Sequence, residues 1–159
     1  MTRAFVALGS NLDDPPAQLR RALAALDRLP ETRCTAHSRY WRTPPWGIQA
    51  QPPFLNAVAS LETALDPHAL LDGLLAIETA QGRVRGEQRW GPRTLDLDLL
   101  HMEGVRLADD RLVLPHPRIA ERAFVLLPLA ELAPGLVLPG QGTVADLLAT
   151  VDRTGCEPV

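Results

Sequence analysis

One stretch decides the fold of this chain: Arg89-Trp90-Gly91-Pro92-Arg93-Thr94-Leu95-Asp96-Leu97-Asp98-Leu99-Leu100. From Thr94 onward, polar and apolar residues alternate, which is typical of a half-buried strand. The leucines at 95, 97 and 99 then face a core, while Thr94, Asp96 and Asp98 face the opposite side of the sheet.

The Asp pair indicates a cation site. Carboxylates at i and i+2 on one strand face have backbone positions roughly 6.5–7 Å apart, so Asp96 and Asp98 can converge on one cation or on two adjacent ones. Such a hard oxygen site suits Mg²⁺ that also holds substrate phosphates. The alternative is a solvated strand face. Strands disfavour Asp, however, and a pair on one face repels unless a positive charge neutralises it.

Residues 83–93 precede this strand and carry Arg83, Arg85, Arg89 and Arg93 against one acidic residue, Glu87. The planar guanidinium fork suits phosphate oxygens. We interpret the segment either as an anion-binding lid or as an exposed charged loop. Beside a carboxylate pair, the arginines favour phosphoryl-group chemistry on a nucleotide.

Length, net charge and cysteine spacing exclude several classes of protein. A length of 159 residues predicts one domain, 1–159, and a net charge of −3 gives no general attraction to nucleic acid or membranes. All 16 basic residues are arginine, so no phosphate site here uses lysine. Cys34 and Cys156 are far apart, which predicts a reduced cytoplasmic protein without structural zinc. No apolar run is long enough for a signal peptide or a membrane span.

The periodicities predict a strand at 3–8, a turn at Gly9-Ser10-Asn11 and a helix that begins at Asp14-Pro15 and ends near residue 29. A strand at 32–42, a proline-rich loop at 43–53 and a strand at 54–62 follow. A second helix begins at Asp66-Pro67 and ends near 82, before the Asp strand. Beyond it we expect a short strand at 112–114, a helix at 119–132 bent or broken at Pro128, a short helix at 144–148 and a loosely held tail from 152.

The order strand–helix–strand–strand–helix–strand predicts an α+β fold with a ferredoxin-like βαββαβ core and C-terminal additions. Its antiparallel sheet carries helices packed on one face. The other face is then free, and Asp96, Asp98 and one side of strand 54–62 can meet there. Glu78 borders the buried stripe of the second helix, where it forms either an ion pair with an arginine or part of a ligand site.

Several segments together resemble one family. These are GSNL, RTPPWG, PFLNAV, GRVRGEQRWGPRTLDLDLL and PHPRIAERAFVLLPLAELAP, which cover nearly the whole chain in order. They are similar to the 6-hydroxymethyl-7,8-dihydropterin pyrophosphokinase family of folate biosynthesis. The resemblance implies a ferredoxin-like α+β enzyme that transfers pyrophosphate from ATP to the dihydropterin hydroxymethyl group and releases AMP. It also implies two Mg²⁺ ions and a monomer that acts on small molecules only.

The resemblance also implies roles for individual residues. Asp96 and Asp98 hold the metals, and Arg83 and Arg93 act in catalysis. The pterin is bound by Thr43, Pro45, Trp46, Phe54, Asn56 and Phe124, with the two phenylalanines on either side of the ring. ATP is bound by Glu78, Arg85, Trp90, Arg93, Leu99, Arg111, Leu112, His116 and Arg122. No residue resembles an obligatory general base, so positioning and charge neutralisation carry the reaction.

Three rival interpretations stay open on sequence alone. A ferredoxin-like RNA-binding module needs exposed sheet aromatics and a basic face, and this chain is acidic without such a run. A regulatory small-molecule-binding domain does not need an Asp pair beside four arginines. A different Mg²⁺-dependent nucleotidyl or phosphoryl transferase is distinguished only by its product.

Overall fold

The computed structural model of the chain describes residues 1–45, 50–82 and 94–159. The strands and helices up to the Asp strand follow in chain order: β1 Thr2–Ser10, α1 Pro15–Asp27, β2 Thr32–His37, β3 Trp41–Thr43, β4 Phe54–Thr63, α2 Pro67–Ala80 and β5 Asp96–Met102. Those after it are β6 Leu107–Ala108, β7 Val113–Leu114, α3 Ala123–Leu132, β8 Val137–Leu138, β9 Gly142–Thr143, α4 Val144–Thr150 and β10 Glu157–Pro158.

The main sheet has the strand order β10-β3-β4-β1-β5, with β2 also paired to β4. β1 pairs antiparallel with both β4 and β5. β2 and β3 each pair antiparallel with β4. Together with α1 after β1 and α2 after β4, this confirms the predicted α+β fold. The predicted strand 32–42 forms as two strands, because Ser38 leaves the extended run and its hydroxyl accepts the N–H of Val58 at 3.0 Å.

Both long helices of the core begin as their sequences predict. The carboxylates of Asp14 and Asp66 accept backbone N–H groups from Ala17 and Ala69, and a proline follows each cap. The apolar stripes of α1 and α2 pack against Leu97, Leu99 and other leucines and alanines on one face of the sheet.

The opposite face is not free along its whole length, which corrects the sequence-based expectation. Val125, Leu126 and Leu129 of α3 cover Phe5, Val58 and Leu100 in a second core, and α4 packs beside them. Helix α3 continues through Pro128. The part of this face that includes Asp96 and Asp98 keeps intermediate exposure.

Two further expectations are wrong. Gly9 and Ser10 do not turn the chain, because β1 continues through both residues in register with β4. The tail is not loose, because Glu157 and Pro158 pair with β3 at the edge of the sheet, and the Val159 N–H donates to the Tyr40 carbonyl at 2.9 Å. None of the helices in the described ranges is long and apolar enough to cross a membrane.

Candidate active site

A row of four residues crosses the sheet on the face opposite α1 and α2. Trp41 pairs with Asn56, Asn56 with Gly9, and Gly9 with Asp96. Directly paired residues in antiparallel strands project their side chains to the same face. The Asn56 amide and the Asp96 carboxylate therefore lie in one line, separated by a residue without a side chain.

The amide of Asn56 is hydrogen-bonded to β3 and lies close to the backbone of β1. Its Nδ2 donates to the Thr43 hydroxyl at 2.6 Å, and both residues are buried. A Cβ at Gly9 would lie 2.8 Å from the Asn56 Oδ1 and 3.8 Å from the Phe54 ring. Glycine is required here because only its lack of a side chain lets the amide approach β1 so closely. Pro45 lies two residues after Thr43, the last residue of β3.

The two phenylalanines that the resemblance assigns to the pterin lie on neighbouring elements, and Phe54 is near the row. Phe54 begins β4, and Phe124 lies in the first turn of α3, which packs against the same strand. Both rings are only partly buried. The guanidinium of Arg122 lies 5.5 Å from the centre of the Phe124 ring, which is within the range of a cation–π contact. The aromatic groups are therefore available to a flat ligand while α3 keeps one of them beside a positive charge.

Asp96 and Asp98 both lie on the same face of β5 with intermediate exposure, and about a third of the Asp98 side chain, 34%, is exposed. Asp98 lies opposite Ala7, so only a small side chain and Gly9 flank the pair on β1. The Arg122 guanidinium is 3.8 Å from the Asp98 carboxylate. Within the described ranges, no cluster of three or more His, Cys, Asp or Glu could hold a metal.

Two accessible carboxylates nevertheless fit Mg²⁺. This ion usually keeps several waters and is bound through one or two carboxylates together with substrate phosphates. The donor set is made of hard oxygen atoms, and both carboxylates keep intermediate exposure, so they can share an ion with ligands that the protein does not supply. The sequence-predicted metal ligands thus have the chemistry and the exposure that a phosphate-bridged magnesium site needs.

His116 is held next to this site by its backbone. Its N–H donates to the Leu100 carbonyl on β5 at 2.8 Å, and its own carbonyl accepts from the Gln141 side chain at 3.0 Å. Burial, with smaller contributions from the positive charges of Arg122 and Arg118, lowers the pKa of His116 from 6.5 to about 4. The ring Nδ1 accepts the Arg118 N–H at 3.2 Å, so the neutral ring carries its proton on Nε2.

Arg122 is partly buried beside Asp98. Burial lowers its pKa, and the negative charge of Asp98 opposes that effect. Arginine stays protonated in proteins, so this group brings a positive charge to the carboxylate pair. A neutral hydrogen-bond donor and a fixed cation therefore flank the two aspartates.

Other ATP residues implied by the resemblance lie in different settings. The side chains of Leu99 and Leu112 are buried in the core under α1 and α2, so only their backbone groups can face a ligand. Arg111 is exposed and forms an ion pair with Asp72 of α2. Glu78 is buried, and its Oε2 accepts the Leu97 N–H at 2.7 Å. Trp46, Arg83, Arg85, Trp90 and Arg93 lie outside the described residues, so their roles stay predictions.

Sequence reasoning missed three supporting residues. Gly9 was assigned to a turn because Gly-Ser-Asn has turn chemistry. Asn11 belongs to the same predicted turn, but its Nδ2 donates to the Gln51 side chain and the Pro52 carbonyl, both at 3.0 Å. Gln141 supports His116 from a distant turn. Contacts between residues so far apart in sequence leave no local pattern that could have indicated them.

Comparison with known proteins identifies the family. The model of the 7,8-dihydro-6-hydroxymethylpterin-pyrophosphokinase (HPPK) family matches residues 5–134. A Methylorubrum extorquens protein named 2-amino-4-hydroxy-6-hydroxymethyldihydropteridine pyrophosphokinase is 52% identical over 159 residues, covering 100% of this chain and 99% of that protein. A Pseudomonas aeruginosa protein of the same name is 53% identical over 156 residues, covering 98% of this chain and 95% of that protein.

Solved structures agree on the fold. An HPPK-DHPS crystallised with substrates superposes with a TM-score of 0.72 at 11% identity, over 94% of this chain and 45% of that one. Wild-type Plasmodium falciparum HPPK-DHPS with pteroate also gives 0.72, at 12% identity, over 93% of this chain and 42% of that one. This chain thus spans less than half the length of those two proteins. Because the family model matches most of the sequence and curated relatives share half of its residues, the chain belongs to the 7,8-dihydro-6-hydroxymethylpterin-pyrophosphokinase family.

Proposed function

We propose that this chain transfers pyrophosphate from ATP to the hydroxymethyl group of 6-hydroxymethyl-7,8-dihydropterin, and that the row Asn56–Gly9–Asp96 aligns the two substrates for this reaction. Family membership supports the activity, and the row is the single observation that carries the site assignment. Asn56, for which we propose recognition of a ring edge, and Asp96, for which we propose metal binding, lie on one face of the sheet.

The pterin end of the site is formed by β3, β4 and α3. Asn56, oriented by Thr43, offers its amide to the polar edge of the ring. Phe54 and Phe124 stack on the two ring faces, with backbone groups near Pro45 beside them. Recognition of both the faces and an edge fixes the direction in which the hydroxymethyl group points.

The nucleotide end is formed by β5 and the segment 116–122. Asp96 and Asp98 would hold Mg²⁺, for which we propose two ions, and the bound metal would neutralise charge on the triphosphate. Arg122 adds a fixed positive charge, and the Nε2–H of His116 donates to a phosphate oxygen. The substrate hydroxyl oxygen then bonds to the β-phosphorus while the bond from that phosphorus to the α,β-bridging oxygen breaks. AMP leaves, and the hydroxyl proton is released to solvent.

Positioning and electrostatic stabilisation account for this reaction without a dedicated base. The Nδ1 of His116 already accepts the Arg118 N–H, and its pKa of about 4 makes it a poor proton acceptor at neutral pH. The site supplies alignment and charge compensation, which are the main contributions in phosphoryl transfer. We also propose that residues 1–159 act as one domain, as a monomer and in the cytoplasm.

Product analysis tests the activity. Incubation with Mg²⁺, ATP and the dihydropterin is expected to give AMP only when all three are present. Chelation of Mg²⁺ or omission of the pterin removes the product, and heat-denatured protein is the background control. ADP formed in step with pterin consumption would contradict the proposal, since it would indicate transfer of one phosphoryl group.

A further inference from the structure

A buried carboxylate lies under the metal-binding strand and is separate from the row across the sheet. Glu78 is near the end of α2 and is 4% exposed. Its Oε2 accepts the backbone N–H of Leu97 at 2.7 Å. Leu97 is the residue between Asp96 and Asp98, so this contact acts on the backbone that carries both carboxylates.

The position of β5 explains why its backbone needs a partner from outside the sheet. β5 is the last strand in the sheet order, and among the described residues only β1 pairs with it in the sheet. Glu78 satisfies the Leu97 N–H, and the His116 N–H satisfies the Leu100 carbonyl further along the same strand. These two contacts bracket Asp98 and attach the strand to α2 on one side and to the His116 segment on the other.

A buried acid is an unusual choice for this helix position. Leu70, Leu74 and Ile77 of the same helix are buried apolar residues, and Glu78 follows them into the core. Burying a charged group is costly unless it is paired and hydrogen-bonded. A short bond from a backbone N–H to an ionised acceptor is among the stronger hydrogen bonds in proteins. The helix therefore keeps a costly group, and one of its contacts is this bond to the strand of Asp96 and Asp98.

We propose that Glu78 is a positioning residue, which fixes β5 so that the carboxylates of Asp96 and Asp98 converge on the same metal ligands. Its link to metal binding rests on the proposed function, whereas its contact with Leu97 does not. Outer-sphere partners of this kind typically change metal affinity or activity by about 10–100-fold when they are removed. This role differs from direct ATP binding, for which the negative charge itself would matter.

Two substitutions separate the two roles. In Glu78→Gln the amide oxygen can still accept the Leu97 N–H, whereas in Glu78→Ala that acceptor is lost. We expect Gln to keep the Leu97 amide protected from hydrogen exchange and to leave the Mg²⁺ requirement within about threefold of wild type. We expect Ala to speed Leu97 exchange by about tenfold or more and to raise the half-saturating Mg²⁺ concentration by about 10–100-fold. Glu103→Ala, at an exposed glutamate just after β5, is the matched control.

The experiment combines both readouts. Amide exchange of Leu97 is followed by NMR in the substrate-free protein, and initial rates are measured against Mg²⁺ concentration at saturating ATP. The proposal is overturned if Gln is as damaging as Ala in the Mg²⁺ titration while Leu97 stays protected in both variants. If wild type forms no AMP, the proposed function fails, and Leu97 exchange in Glu78→Ala against Glu78→Gln still decides whether Glu78 holds the strand. If Glu78→Ala fails to fold, the Mg²⁺ titration of Glu78→Gln still decides whether the negative charge of Glu78 is needed.

Discussion

Asn56 and Asp96 lie on the two strands that flank β1, and both are paired with the same residue, Gly9. Neighbouring strands are about 4.7–4.9 Å apart, so roughly 9.5 Å separates the backbone of the amide from that of the carboxylate. Under the proposed function, a flat ring along this row with one edge at Asn56 would direct its substituent toward Asp96 and Asp98. The geometry of the sheet would then set the spacing between the two substrates.

Gly9→Ala tests this spacing. The added Cβ would lie 2.8 Å from the Asn56 Oδ1, so the amide must move from its place beside Thr43. We expect pterin affinity to fall about tenfold or more, which corresponds to ~1.4 kcal/mol, while ATP affinity changes little. Calorimetric titration of each ligand checks this. Gly135→Ala is the control, because a Cβ there meets nothing within 4 Å. An equal loss for both ligands would mean that Gly9 matters only for folding.

Asp96→Asn and Asp98→Asn test the metal assignment. Each change removes a negative charge from a partly exposed position and leaves the leucine face intact, so the fold should persist. We expect turnover to fall about a hundredfold or more, equivalent to ~2.7 kcal/mol of transition-state stabilisation. The melting temperature should hold or rise in Asp96→Asn, because two like charges no longer repel, whereas Asp98→Asn also removes the negative charge beside the partly buried Arg122 and should lower it. Initial rates are measured at several Mg²⁺ concentrations, with the exposed-site variant Asp110→Asn as control. Near-native turnover in either Asp96→Asn or Asp98→Asn would contradict the metal assignment.

Phe124→Ala tests ring stacking. The side chain is half-buried under a guanidinium, and stacking of a base on an aromatic ring is worth ~1–3 kcal/mol. We expect pterin binding to weaken by that amount and ATP binding to change far less. Because Phe124 also packs against the second core, Phe124→Leu is the control for lost packing. Leu should restore thermal stability without restoring pterin affinity. Full recovery of pterin affinity in the Leu variant would show that the aromatic ring is dispensable.

His116 gives a prediction about pH. Its pKa of about 4 in the folded protein lies below the 6.5 of an unperturbed histidine, mainly because the ring is buried. Between these values the unfolded chain binds a proton that the folded protein does not, so the free energy of unfolding falls as the pH drops from about 6.5 to 4. We expect this pH dependence to be weaker in His116→Gln, measured by urea denaturation at several pH values.

Direct titration of the imidazole provides the second check on His116. The ring resonances should titrate near pH 4 by NMR in the substrate-free protein. Titration near pH 6.5, with identical pH dependence of stability in both proteins, would contradict the burial of this ring beside Arg122 and Arg118.

The residues of β5 show how far sequence reasoning reaches. Strict alternation placed Leu97 and Leu99 toward the core and the aspartates on the other face, because side-chain direction in a strand depends only on local order. The same reasoning failed at Gly9, whose local chemistry favours a turn. Pairing with Asn56 and Asp96 keeps it extended instead, and neither partner is near it in sequence.

The C-terminal segment was predicted least well. Gln141 contacts His116, and Glu157 pairs with Arg42 in β3. Both contacts join residues far apart in the chain, and the short strands involved carry no periodic pattern. The free energy that holds such a segment comes from tertiary contacts, so composition alone suggested a loose tail.

The fate of the β-phosphorus is the most direct test of the account. ATP labelled at that position is incubated with the protein, Mg²⁺ and 6-hydroxymethyl-7,8-dihydropterin, and the products are separated and quantified. We predict that the label moves to the pterin and that one unlabelled AMP forms for each labelled pterin diphosphate. Label retained in ADP, with a pterin that carries a single phosphate, would contradict pyrophosphate transfer.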